Sequence, residues 1–205
     1  MKVLLINGSS HKKGCTYTAL EEVAKALNNE GIETEFIHIG NKAIKGCIGC
    51  NQCKPNECIF HDDLVNEVLL KMQQSDALVV GSPVYYASAN GELISLLDRV
   101  FYAGECFANK PGACIVSARR AGTTAALDQL NKYITIANMP LVSSQYWNMV
   151  HGNTAEEVKQ DLEGMQTMRR LGQNMAWLLK CIEAGKNAGV YAPTGEPREM
   201  TNFIR

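Results

Sequence analysis

The sequence predicts an open parallel α/β sheet covered by helices on both faces. Short apolar runs alternate along the chain with longer segments whose apolar residues recur at helical spacing. The clearest of these runs, KVLLIN and ALVVG, are apolar at nearly every position, as in strands buried on both sides. There is no repeat and no low-complexity segment to suggest any other architecture.

Each element has its own warrant. Residues 2–7 (KVLLIN) form the first strand and run into a Gly/Ser turn. Residues 16–29 form a helix carrying Leu20, Val23, Ala24 and Leu27, with Gly31 as its stop. Residues 33–39 (ETEFIHI) alternate and give the second strand. After a cysteine-rich loop, a helix is expected to start at Asp62–Asp63, whose carboxylates suit a helix N-terminus, and to carry Leu64, Val68, Leu69 and Met72. Residues 77–81 (ALVVG) are the third strand, and a helix from about residue 90 carries Leu93, Leu97, Val100 and Phe101. The fourth strand is 113–118 (ACIVSA), followed by a helix over about 123–138. A fifth strand is placed at 141–147, and a last long helix at about 154–183, with Gly164 and Gly172 as weak points. Residues 1–183 thus read as one domain. Residues 184–205, with Gly185, Gly189, Pro193, Gly195 and Pro197, read as an irregular tail, either mobile or wrapped around a partner subunit.

Composition narrows the partners. A chain of 205 residues can bury a core without disulfides as scaffolding. A net charge of −1 lacks the basic excess expected of a partner for nucleic acid or anionic membrane. No apolar run is long enough for a bilayer, and MKVLLINGSS lacks the features of a signal peptide, so the expected location is the cytoplasm.

Ligands in such sheets bind where the strands end and the strand order switches. After the first strand comes Gly8-SSHKKGC-Thr16, which is neither Gly-Lys-Ser/Thr nor Gly-x-Gly-x-x-Gly. Ser9, Ser10 and Thr16 offer hydroxyls, and the helix start beyond Gly14 offers free N–H groups, an arrangement suited to one terminal phosphate or simply to a capped turn. His11, Lys12 and Lys13 read as solvated loop residues. After the third strand comes GSPVYYASANG, in which Tyr85 and Tyr86 could face a planar ring, with one of the two expected to pack on the following helix. Of the eight cysteines, four lie at Cys47, Cys50, Cys53 and Cys58, a Cys-x2-Cys-x2-Cys-x4-Cys run. In a reducing compartment such a run reads as metal ligands or redox groups. A [4Fe-4S] cluster and free or labile thiols both remain open. Zinc prefers two separated Cys-x2-Cys pairs. Cys114 and Cys181 are expected in the core.

Three segments resemble the flavodoxin-like NAD(P)H-dependent FMN reductase family: NGSSHKKGCT at 7–16, the cysteine loop running into HDDL at 61–64, and GSPVYYASANGELISLLDR at 81–99. SARRAGTT at 117–124 looks like that family's third flavin loop, and the likeness covers about residues 1–150. The resemblance implies a doubly wound five-stranded sheet in the order 2-1-3-4-5. It implies FMN, with Ser9, Ser10, His11, Thr16 and the Gly14 backbone at the phosphate. Cys15 stands in this phosphate loop where the family often has Asn. Pro83, Val84, Tyr85 and Tyr86 would lie along the isoalloxazine, and Ala118, Arg119 and Gly122 at its pyrimidine side. The compact cysteine run is similar to that of the iron-sulfur flavoprotein branch, which holds [4Fe-4S].

The implied activity is hydride transfer from NAD(P)H through FMN to a small-molecule acceptor such as a quinone or flavin, with no side chain needed as acid or base. The implied assembly is a homodimer or homotetramer with subunits meeting near the flavin. Arg119 or Arg120 would either attract the pyridine nucleotide phosphate or stand as an ordinary surface arginine. Two alternatives stand beside this reading: an iron-sulfur flavoprotein fed by ferredoxin, and a flavin- or thiol-based redox sensor.

Overall fold

The computed structural model describes residues 1–197, 199–201 and 203. Five parallel strands lie in the order β2-β1-β3-β5-β6: β1 Lys2–Asn7, β2 Glu33–His38, β3 Ala77–Tyr85, β5 Gly112–Ala118 and β6 Met149–His151. A two-residue strand, β4 (Ser88–Ala89), folds back antiparallel on β3. With that hairpin set aside, the order is the doubly wound 2-1-3-4-5 expected from the sequence. Helices α1 (Cys15–Asn29), α2 (Val65–Gln73), α3 (Gly91–Ala103), α4 (Thr123–Ile136), α5 (Ala155–Gln160) and α6 (Leu162–Asn187) fill the crossovers and the end of the chain.

Side chains alternate across a strand, so one apolar run feeds two cores. Val3 and Leu5 of β1, Val79 of β3 and Ile115 of β5 join Leu20, Val23 and Leu27 of α1 and Met168, Leu171 and Met175 of α6. Leu4, Ile6, Val80 and Val116 point the other way, into Leu69, Leu93, Leu97 and Leu130 of α2, α3 and α4. The register pairs Asn7 with both His38 and Gly81, and Pro83 with Ser117, so strands β1, β3 and β5 end along one edge.

The fifth strand is shorter and later than residues 141–147. The segment touches β5 at Leu141, leaves it, and rejoins only at Met149–His151. Local side chains compete with the ladder. Ser144 Oγ lies 2.6 Å from Tyr146 O and 2.7 Å from Asn148 Oδ1, and Asn148 Nδ2 donates to Cys114 O. The last helix also differs. It breaks at Asp161, whose carboxylate caps Gly164 N–H and also accepts from His151 N–H. Beyond the break it runs unbroken to Asn187, past the expected end at 183. The described residues beyond 187 carry no helix or strand; Arg198, Asn202, Ile204 and Arg205 of the expected tail lie outside them. Cys181 is exposed rather than in the core, whereas Cys114 is buried. No helix among the described residues is long and apolar enough to cross a membrane.

Gly172 is not a weak point but the place where α6 crosses α1. A Cβ there would stand 2.6 Å from Ala26 Cβ and 2.7 Å from Val23 O. Those atoms are held by helix α1 and cannot rotate away. Gly172→Ala is therefore expected to lose about 1–2 kcal/mol, because overpacking outweighs alanine's better propensity. Gly185→Ala, whose Cβ would meet nothing nearer than 3.8 Å, is expected to gain up to about 1 kcal/mol. Urea midpoints of the two variants should move in opposite directions.

Candidate functional site: a cleft at the strand ends and a four-cysteine cavity

A cleft of about 590 Å³ opens at the ends of β1, β3 and β5, within the range of about 300–1,000 Å³ typical of cofactor sites. It gathers most of the flavin residues expected from the sequence: Ser9, His11, Gly14, Cys15, Thr16, Pro83, Val84, Tyr85, Ala118 and Arg119. Ser10, Tyr86 and Gly122 are not in its wall. The lining carries Lys12, Lys13, His11 and Arg119 and no carboxylate, which favours an anion.

The loop after β1 owes its shape to residues that the sequence reading passed over. Asn7 is 1% exposed and clasps the loop, accepting from Ser9 N–H (3.2 Å) and donating to Lys12 O (3.2 Å). His38 Nε2 lies 2.8 Å from Ser9 O; a carbonyl only accepts, so Nε2 carries the proton. Ser9 Oγ accepts from His11 N–H. At the far end Thr16 Oγ1 and Ser117 Oγ, 2.8 Å apart, tie the start of α1 to β5. The start of α1, Gly14 to Thr16, lines the cleft, and no side chain caps its first N–H groups, which lack intrahelical partners as at any helix start. Cys15 lies on this wall, its Sγ 3.6 Å from Gly152 O, and burial pushes its thiol up, away from nucleophilic use. Gly152, Asn153, Thr154 and Ala155 close the cleft opposite; no motif in the sequence marked them.

Neither tyrosine packs on the following helix. Tyr85 is 45% and Tyr86 104% exposed, because β3 and β4 are joined by a two-residue turn at Tyr86-Ala87. Both turn residues have positive φ, 50° and 59°. Such turns ordinarily use Asn-Gly, so Tyr-Ala carries no hairpin signal. Gly122 (φ 88°) lets the β5–α4 loop approach: a Cβ there would lie 2.8 Å from Ala87 Cα.

Cys47, Cys50, Cys53 and Cys58 converge on a second, small cavity together with Phe60, Arg99 and Tyr102. The loop turns through positive φ at Gly49, Asn51 and Asn56. It is pinned to α3 by Tyr102 Oη donating to Asn51 Oδ1 (2.7 Å) and Asn56 N–H donating to Ala103 O (2.9 Å). Cys58 is 3% exposed, and Asn66 holds its backbone from both sides, at 2.8 and 2.9 Å. Burial, followed by the neighbouring Cys58, Cys50 and Cys47, pushes the Cys53 thiol up. Among the described residues, no three His, Cys, Asp or Glu side chains are grouped so as to hold a metal ion. A cubane is larger than one ion and takes its four sulfurs from farther apart.

Asp63 does more than start a helix. Its Oδ1 accepts from Val65 N–H, α2 begins only at Val65, and its Oδ2 pairs with Arg99 in a buried ion pair.

A parallel sheet in this strand order, with its cleft at the strand ends, defines a flavodoxin-like α/β protein. Solved structures agree on the fold. The chain superposes on RosB with a TM-score of 0.73 (14% identity, covering 100% of this chain and 93% of that one) and on an archaeal flavodoxin with 0.61 (14% identity, 88% and 99%). The sequence pattern described as NADPH-dependent FMN reductase matches residues 1–154. An iron-sulfur flavoprotein of Methanocaldococcus jannaschii is 34% identical over 193 residues, covering 89% of this chain and 100% of that one. Another, from Methanosarcina thermophila, is 26% identical, covering 91% of this chain and 100% of its own. The chain belongs to the NADPH-dependent FMN reductase family, close to its iron-sulfur flavoproteins.

Two consecutive non-glycine residues at positive φ cost about 1–2 kcal/mol each. Replacing Ala87 by glycine should return roughly 1 kcal/mol, read as a higher urea midpoint. An unchanged or lower midpoint would show that the turn carries no such strain.

Proposed function

We propose that the protein is a flavin-dependent oxidoreductase that binds FMN in the strand-end cleft and a [4Fe-4S] cluster at the four cysteines. Electrons would pass between the two, fed by a ferredoxin-type donor. The observation carrying this reading is that four cysteines spread over twelve residues line one cavity, against a buried guanidinium. Free thiols need no such arrangement, whereas a cluster does.

In the cleft, Ser9, Thr16 and the N–H groups opening α1 would hold the FMN phosphate, with Ser10 on the same loop outside the wall and His11, Lys12 and Lys13 adding positive field at the rim. Pro83, Val84 and Tyr85 would lie along the ring, and Ala118 and Arg119 at its polar edge, with Tyr86 and Gly122 reaching it from beyond the wall. FMN, when bound, supplies the exchange between electron pairs and single electrons. The chain's part is to bind, orient and leave one side open, as the exposed Tyr85 and Tyr86 do. Cys47, Cys50, Cys53 and Cys58 would be the cluster's ligands. The open side favours a homodimer or homotetramer completed near the cleft, which light scattering would measure, in a reducing cytoplasm.

A second reading keeps FMN and takes NAD(P)H as donor, with a quinone or flavin as acceptor. The exposed cleft rim with Lys12, Lys13 and Arg119 favours it. Anaerobically prepared protein should be brownish yellow, with FMN and about four iron and four sulfide per chain. Cys50→Ser should bring iron close to zero and leave FMN in place. Rapid mixing with reduced ferredoxin, NADH or NADPH then identifies the donor. Bleaching by ferredoxin alone supports the first reading and by a pyridine nucleotide the second; very slow reduction by all three would favour a redox sensor. Protein that binds no FMN would overturn both of the first two.

A further inference from the structure

Arg99 lies in the third turn of α3 and is 2% exposed. A buried guanidinium must place all five N–H groups, and here each has a direction. Nη1 donates to Lys45 O (3.0 Å) and to the Asp63 carboxylate. Nη2 donates to Phe60 O (3.4 Å) and to Cys58 Sγ (3.3 Å). Nε donates to the same sulfur at 3.4 Å. The Phe60 ring lies beside the guanidinium plane, 5.4 Å from centroid to Cζ.

The side of the fork formed by Nε and Nη2 ordinarily grips a carboxylate or phosphate with two parallel bonds. Here both converge on one sulfur. A thiol is a weak acceptor, so this would be a poor use of two buried N–H groups. A thiolate ligand accepts both strongly. Cys58 is also the one buried cysteine of the four, and its backbone is fixed by Asn66. Asp63 balances the charge of Arg99, so the guanidinium presents directed N–H donors in a nearly neutral pair.

We propose that Arg99 is a positioning residue for the iron–sulfur cluster. It aims the Cys58 sulfur into the cavity, and through its two N–H···S bonds it draws electron density off that ligand and raises the cluster's reduction potential. Hydrogen bonds to ligand sulfurs favour the more electron-rich state, which is why potential follows them. The inference rests on the cluster reading above.

The test has two stages that separate the two claims. Iron and sulfide analysis of anaerobic parent protein comes first; a parent without iron overturns the cluster reading and this inference with it. Given iron, the parent, Arg99→Lys, and the doubly neutral pair Arg99→Gln with Asp63→Asn are titrated with dithionite under redox control and followed by EPR. Lysine keeps a cation for Asp63 but cannot supply the paired donors to one sulfur. Both variants should keep FMN and iron and show a lower cluster potential than the parent, the neutral pair the lower of the two. A folded variant with the parent's iron content and the parent's potential would overturn the proposal.

A measurement on unmutated protein guards against variants that fail to fold. Protein grown with ¹⁵N-arginine and reduced by dithionite should show a ¹⁵N coupling to the cluster in pulsed EPR, absent from unlabelled protein. A cluster signal without that coupling would overturn the proposal.

Discussion

The strand-end edge depends on one side chain, Asn90. It is 6% exposed; its side-chain amide closes two connections and its backbone N–H a third. Its Oδ1 caps α3 by accepting from Glu92 N–H (2.9 Å), and its Nδ2 donates to Gly8 O (2.8 Å). Its own N–H donates to Ser82 Oγ (2.9 Å). Gly8 N–H in turn donates to Gly81 O (2.8 Å). The phosphate-type loop after β1, the end of β3 and the start of α3 are therefore one hydrogen-bonded unit. A buried amide left with any of these unmade would cost about 1–3 kcal/mol, so the unit is satisfied together or not at all.

What Asn90 fixes at one end of α3, Arg99 uses near the other. Nine residues of helix separate them, about 14 Å of axial rise on a rigid element. The α3 face toward the sheet is packed with Leu93, Leu96, Leu97 and Val100, so the helix does not rotate independently of the core. The cleft and the cysteine cavity are thus held in a fixed relation by one helix, although the residues lining them come from loops far apart in sequence. Phe60, Cys58 and Asp63 all reach Arg99 from the segment before α2, which brings that segment back onto α3 rather than leaving it on the sheet edge.

Much of this was legible in the sequence, and what was not has physical causes. The buried runs at 2–7, 77–81 and 113–118 read directly as strands because both faces are covered. The cysteine spacing announced a site, and GSPVYYASANGELISLLDR marked a family. The β3–β4 hairpin was hidden because Tyr86-Ala87 is held at positive φ by its surroundings, and not by Asn-Gly chemistry. The segment 141–147 was apolar and aromatic enough for a strand, yet Ser144 and Asn148 diverted its hydrogen bonds. The break at Asp161 fell on the residue whose carboxylate has two donors to satisfy, three positions before Gly164, one of the two glycines expected to be weak points. Arg99 sat inside a recognised motif, but a sequence cannot say where a long side chain ends, and its meaning lies in Cys58, which is 41 residues away.

The two sites are built on opposite electrostatic terms. The cleft would meet its ligand with backbone N–H groups and solvated cations at the rim, where salt and water weaken each contact. The cysteine cavity would meet a cluster with a buried pair, Arg99 and Asp63, at 2% and 4% side-chain exposure. There, screening is weak and an unmatched charge is costly. A buried pair of this kind adds little to stability when compared with apolar packing, so its presence calls for another reason. Donating twice to a sulfur that three other cysteines join around one cavity supplies that reason. On the proposed reading the guanidinium is placed for the charge on a thiolate ligand, and Asp63 makes its burial tolerable.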